Sequence, residues 1–230
     1  MAKPRSFLLI PGAGGSAWYW HLVIAELERR GHDAVAVDLP AEDDSAGWQE
    51  YVDVAVASAG DRDDLVVVGS SMGAFTASLL PGVLPVSLLV LLNAMIPSPG
   101  ETGDDWWDNT GQGEARRAND LREGRPAGAD YDPLVMFLHD VPEPVVTEAA
   151  AHEIDQSATP LEQPWARDAW PDVPTRVVTG RDDRLFPVDF QRRVAQDRLG
   201  IDPDVIPGGH LLALSRPIEL VDLLETYIAG

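Results

Sequence analysis

The sequence predicts an α/β fold, with about six mainly parallel strands flanked by helices and an inserted helical segment in the middle. Three observations carry that prediction. Short, continuous apolar runs recur along the chain, as expected of strands covered on both faces of a parallel sheet. Helix-compatible stretches separate them at the spacing of βαβ units. Turns rich in glycine follow several of the runs, at the edge where open α/β sheets build their sites. With 230 residues and 45% hydrophobic content, the chain can bury a full core in one domain that carries an insertion.

Phe7-Leu8-Leu9-Ile10 is the first such run, and it ends in the turn Pro11-Gly12-Ala13-Gly14-Gly15-Ser16. A helix is expected over 17–30, with Gly31 as its stop. Ala34-Val35-Ala36-Val37-Asp38 is the second strand, closed by Pro40, and Ser45 is a candidate cap for a helix over 48–58. Residues 65–69 form the third strand and 72–80 the helix behind it; residues 86–92 form the fourth strand. From 94 to 170 the rhythm breaks: Pro97, Pro99, Gly100, Gly103, Gly111, Gly113, Gly124, Pro126 and Gly128 punctuate weakly periodic pieces, with helices expected only near 132–138 and 144–151. Such a stretch is too long for a loop in a compact domain, so it reads as an inserted cap on a core made of 1–93 and 171–230. The sheet resumes at 175–179, followed by a helix near 188–199, a strand at 204–206 and a last helix near 217–228.

The third strand carries the chemistry. Val66-Val67-Val68-Gly69-Ser70-Ser71-Met72-Gly73 is a β-branched run that ends in G-x-S-x-G, the pattern of a nucleophile elbow. There a strand turns sharply into a helix, Ser71 stands on the tip, and the N–H of Met72 faces a developing oxyanion. A serine hydroxyl needs a base within reach and a third group to orient that base. Gly180-Arg181-Asp182-Asp183 follows the fifth strand and Pro207-Gly208-Gly209-His210 the sixth, which puts either aspartate and His210 at the same sheet edge as Ser71.

In these motifs the chain resembles the α/β-hydrolases over nearly its whole length. Gly12-Ala13 followed by Trp18 and Trp20 resembles the branch of plant-type methyl esterases and hydroxynitrile lyases. The resemblance implies that the triad acid is Asp183 rather than Asp182. It also implies that the Ala13 N–H joins that of Met72 as the second oxyanion donor. Some positions depart from the family pattern. Pro11 and Ser70 stand where many relatives have histidine, and Ala74 where many have a second glycine. The cyanohydrin-cleaving members resemble hydrolases with an added cap lysine, and this cap has none. The expected activity is therefore hydrolysis of a small or medium carboxylic ester through an acyl-enzyme. A lactonase, thioesterase or carbon–carbon lyase of the same fold, or a non-catalytic binding member, are the other readings. Trp18, Trp106 and Trp107 are the expected substrate-binding aromatics, because exposed paired tryptophans are costly without a partner.

Rival readings are weaker. Gly12-x-Gly14-x-x-Ala17 with Asp38 satisfies a dinucleotide fingerprint, but Pro11 constrains the turn and Trp18-Tyr19-Trp20 crowds the helix start. No cofactor is expected. His21, His32, His139 and His152 read as surface or locally bonded, with His139 beside Asp140 the best alternative base. The acidic runs 61–64 and 104–105 lack the ligand spacing of a calcium loop, so no metal is expected. A net charge of -21 repels nucleic acid and anionic membrane, leaving a small-molecule substrate as the partner. Zero cysteines exclude disulfides and a cysteine nucleophile, and the single lysine, Lys3, disfavours Schiff-base chemistry. The residues following Met1 are too short an apolar run for a leader or a spanning helix, so a cytoplasmic protein is expected.

Overall fold

The computed structural model describes residues 4–127, 132–152 and 154–229; Lys3 and Gly128, named above, lie outside them. In chain order, β1 (Ser6–Ile10) leads through a single 3-10 turn (Ala17–Trp20) to α1 (His21–Arg29), β2 (Asp33–Ala36), α2 (Trp48–Ala59), β3 (Leu65–Ser70), α3 (Gly73–Leu79) and β4 (Val86–Leu92). Five helices follow: α4 (Gly103–Thr110), α5 (Gln112–Arg122), α6 (Pro133–Met136), α7 (Glu143–Ala149) and α8 (Thr159–Glu162). The chain then closes with β5 (Thr175–Gly180), α9 (Val188–Leu199), β6 (Asp204–Ile206), α10 (Leu212–Ser215) and α11 (Pro217–Ile228). The six strands form one all-parallel sheet in the order β2-β1-β3-β4-β5-β6.

Alternation along each strand divides the core between the two faces of the sheet. Leu8, Ile10, Val67, Leu89 and Leu91 pack with residues of α2, α3 and α9 on one face. Phe7, Leu9, Val66, Val68, Val90 and Leu92 pack with α1 and α11 on the other. Because both faces are covered, the strands are apolar at consecutive positions, and this is why they were legible. The strand order reverses direction between β1 and β3. That is the switch point where the turns after two neighbouring strands diverge and leave a crevice at their carboxyl ends.

Several boundaries differ from the sequence reading. The helix expected over 17–30 begins as a 3-10 turn, because the Asp38 carboxylate accepts the N–H of Ala17 at 2.7 Å and fixes the entry. Ser45 does not cap α2; its hydroxyl donates to Asp43 Oδ1 at 2.6 Å. Gly47 holds the cap position instead, with its N–H donated to the Glu50 carboxylate at 2.8 Å, and Gln163 packs where a Cβ would stand. In the inserted segment, α4, α5 and α8 were not anticipated. Its two ends are sewn into the core rather than resting on it. Trp106 packs against Phe186 and Phe190, and Trp165 donates to Ser78 Oγ at 3.0 Å. Arg198 on α9 forks onto the buried Glu101 carboxylate, with Nη2 to Oε1 at 2.8 Å. In contrast, α7 contributes no buried residue and α6 only Met136.

Candidate active site

Ser71 sits at the end of β3 with φ of 51°, a left-handed conformation that side chains rarely adopt. Three backbone bonds hold it there: its N–H donates to Leu92 O at 3.0 Å, and its carbonyl accepts from Ala74 at 3.2 Å and Met95 at 3.0 Å. The turn needs two glycines. A Cβ on Gly69 would come within 2.6 Å of Ala77 Cβ, and one on Gly73 would strike the backbone of Pro11 and Ile10. Strand and helix thus cross closely enough to lift Ser71 above the sheet.

The turn after β6 brings His210 to the same place. Its Nε2 lies 3.1 Å from Ser71 Oγ, and its Nδ1 lies 2.8 Å from Asp183 Oδ2. The side chains of His210 and Asp183 are 3% and 0% exposed. The other oxygen of Asp183 accepts the N–H groups of Leu185 and Phe186 at 2.8 and 2.9 Å. The aspartate is therefore fixed before it meets the ring. Asp182 is 49% exposed and its carboxylate accepts the N–H of Gly208 at 3.1 Å, so it braces the loop and does not touch the imidazole. Phe137 and Phe186 flank the ring of His210, with centroids 5.3 and 5.1 Å away.

Behind these three side chains lies a residue that sequence reasoning passed over. Asn93, fully buried at the carboxyl end of β4, donates to the carbonyls of Gly209 and His210 at 3.0 and 2.8 Å. Its amide oxygen accepts the N–H of Gly180 at 2.7 Å. One side chain thereby ties the acid-bearing turn to the histidine-bearing turn. The signal was present, since a lone amide directly after an apolar strand must find partners when buried. From the inserted segment, Asp140 accepts the N–H of Gly209 at 2.7 Å.

A cavity of about 810 Å³ opens over Ser71. Gly12, Ala13 and Met72 line it beside Ser71 and His210. Met72 is the N-cap of α3, so its N–H has no helical acceptor. Among the described residues, the N–H of Ala13 likewise meets no protein acceptor. Its apolar walls divide between the two halves of the core: Tyr19, Leu138, Leu211 and Leu214 pack with the α1 and α11 side, and Met95, Trp107, Leu161 and Leu185 with the α2, α3 and α9 side. Trp18 stands at the cavity sandwiched between His21 and His152, at centroid distances of 4.6 and 4.7 Å, and donates to Glu148 on α7 at 3.2 Å.

Trp106 requires a correction. Its ring is 0% exposed and packs against Trp107, Phe186 and Phe190 in the core, so it is a structural anchor and not a cavity wall. Among the histidines, His139 packs against Gly209 rather than Ser71, and burial followed by the charge of Arg184 lowers its pKa. His32 accepts the N–H of Arg5 at 3.2 Å, and His21 bonds the carbonyl of Trp18 at 2.7 Å. The turn after β1 is already engaged. Gln156 accepts the N–H of Gly14 at 3.0 Å and Asp38 that of Ala17, which leaves neither open to a pyrophosphate. Among the described residues, no group of three or more His, Asp or Glu side chains could hold a metal ion. No described helix is long and apolar enough to cross a membrane.

Comparison with known proteins gives one consistent result. The model of the Alpha/beta hydrolase family matches residues 7–223. "Probable esterase PIR7A" of Oryza sativa subsp. indica is 36% identical over 110 residues, 42% of this chain; the match covers 41% of that relative's length. "Alpha-hydroxynitrile lyase" of Arabidopsis thaliana is 22% identical over 252 residues, which cover 98% of this chain and 97% of the relative. Among solved structures, that of polyneuridine aldehyde esterase has a TM-score of 0.78 at 20% identity, covering 98% of this chain and 99% of the other. At that identity the structural likeness speaks to the fold.

Proposed function

The chain belongs to the Alpha/beta hydrolase family, and on that premise we propose that it is a serine hydrolase cleaving a small or medium carboxylic ester, with Ser71, His210 and Asp183 as its triad. The observation that carries the reading is the unbroken relay of 3.1 and 2.8 Å from Ser71 Oγ through the imidazole to the Asp183 carboxylate. Three turns distant in sequence converge to make it.

In this mechanism His210 Nε2 takes the proton of Ser71 as Oγ attacks the ester carbonyl. Asp183, already held by two backbone N–H groups, keeps the Nδ1 proton in place and stabilises the imidazolium. The N–H groups of Ala13 and Met72 receive the oxyanion, each worth roughly 3–4 kcal/mol in comparable holes. Collapse expels the alcohol, which takes the proton back from His210. Water activated by the same ring then clears the acyl-enzyme. Residues 94–170 serve as the cap, with α6, α7 and the stretch around Gln156 roofing the cavity, and with Trp18 and Trp107 in contact with substrate.

Replacing Ser71 with Ala is expected to lower turnover of nitrophenyl esters at least about a thousandfold while the protein stays folded. Near-native activity in that variant would reject Ser71 as the nucleophile. The full-length match to a hydroxynitrile lyase makes carbon–carbon cleavage the competing reading. Absence of lysine from the cap weighs against it, and cyanide release from mandelonitrile would reinstate it.

A further inference from the structure

One wall of the cavity carries two buried hydroxyls that ester hydrolysis does not use. Tyr19 Oη and Ser70 Oγ lie 3.3 Å apart, both line the cavity, and the residues are 8% and 2% exposed. Two hydroxyls bring two hydrogens, and the bond between them takes only one. A phenol is a far stronger acid than a serine hydroxyl, so the shared hydrogen is the tyrosine's. Burial keeps the phenol protonated, pushing its pKa up to about 12. The hydrogen on Ser70 is then left over, and among the described residues no protein acceptor meets it.

A hydroxyl donor that lines a cavity favours an acceptor on the molecule that enters it. The rest of this wall, Leu138, Leu211 and Leu214, is apolar, and among the described residues no lysine or arginine lines the cavity. The complementary group is therefore a neutral acceptor oxygen on an otherwise apolar limb.

We infer that Ser70, held by Tyr19, donates a hydrogen bond to a second oxygen of the substrate, so that the preferred ester carries a ketone or ether oxygen on the limb lying along the Tyr19–Leu214 wall. This rests on the hydrolase reading above and adds the class of substrate to it. Ser70 is thus a specificity-determining neighbour of the nucleophile. Tyr19 sets the direction of its hydrogen.

Methyl hexanoate and its 3-, 4- and 5-oxo analogues test the inference, with kcat/KM for each divided by its rate of alkaline hydrolysis to remove intrinsic reactivity. In the wild type at least one oxoester is expected to exceed methyl hexanoate about tenfold. Ser70→Ala should bring that ratio to about one, and Tyr19→Phe should lower it by less, because the serine hydroxyl remains but loses its orienting partner. Should Ser70→Ala fail to fold, Ser70→Cys supplies a weak donor of similar size and is read in the same way. A wild type without any preference, a preference that survives Ser70→Ala, or a larger loss in Tyr19→Phe than in Ser70→Ala would each overturn the inference. Hydrolysis without preference brings down this inference alone. Failure to hydrolyse methyl hexanoate and nitrophenyl butyrate through Ser71 brings down the hydrolase reading as well.

Discussion

The floor and the roof of the cavity are built on different principles. The floor is made of turns at the ends of β3, β5 and β6; Asp183, His210 and Asn93 are buried there, and Asp183 and Asn93 are bonded to backbone that is itself buried. The roof, α6, α7 and the turn between them, is attached by a few side-chain bonds, such as Glu148 to Trp18 and Asp140 to Gly209, and α7 has no fully buried residue, only Val145 and Val146 packed partly buried against the core. Under the proposed mechanism the contrast falls where rigidity is needed: proton transfer tolerates little displacement, whereas groups that select substrate need only surround it. Loops and short helices with few buried contacts are also the parts that open most readily.

The comparison can be broken first at the floor. Asp183→Asn is expected to lower kcat on nitrophenyl esters by on the order of ten-thousandfold, and Asp182→Asn by less than about tenfold. A larger loss at Asp182 would reverse the assignment of the acid. Next in size is the pair of tryptophans at the junction of core and roof. Truncating Trp106 to Ala should cost about 3–5 kcal/mol in urea unfolding. Trp107→Ala, on the cavity side, should cost less than half of that and raise KM instead. Equal destabilisation by the two would mean that Trp107 is core as well.

Asn93→Ala comes third. It strands two carbonyls and one N–H, a loss of about 2–4 kcal/mol in stability, and should lower kcat about ten- to a hundredfold with little change in KM. Asn93→Asp keeps the acceptor for Gly180 but sets a carboxylate against two carbonyls, so it should fail to rescue kcat. Full rescue would place the role of Asn93 elsewhere.

The smallest effect belongs to the roof. Burial, and then Arg184, depress the pKa of His139 below its ordinary value. The unfolded chain therefore takes up this proton first as pH falls, and the contribution is complete above about pH 6.5 and lost below it. Between pH 7 and pH 5.5 the wild type should lose about 2 °C or less of melting temperature that a His139→Asn variant does not lose. Identical pH profiles would remove His139 from the account.

Much of the fold was legible because its strands are buried on both faces. Phe7-Leu8-Leu9-Ile10 and Leu88-Leu89-Val90-Leu91-Leu92 have no polar position to confuse the pattern, and both lie in strands. The elbow was legible for a related reason, since a turn this tight admits few sequences. Helices α4 and α5 were not, because Gly103, Gly111 and Gly113 read as breakers. In the fold Gly111, with φ of 66°, serves as the C-cap of one helix and the N-cap of the next.

What the sequence determined by itself was the parallel α/β order and the residue types gathered at one edge of the sheet, because strand periodicity, glycine turns and chain order are local properties. What only the tertiary structure decided was Trp107 over Trp106 at the cavity and Asn93 as the tie between two turns; it also seats at the imidazole Asp183, the acid that the family resemblance already implied. Adjacent residues of one kind carry the same local information. Which of them turns inward is set by contacts with chain that lies far away in sequence.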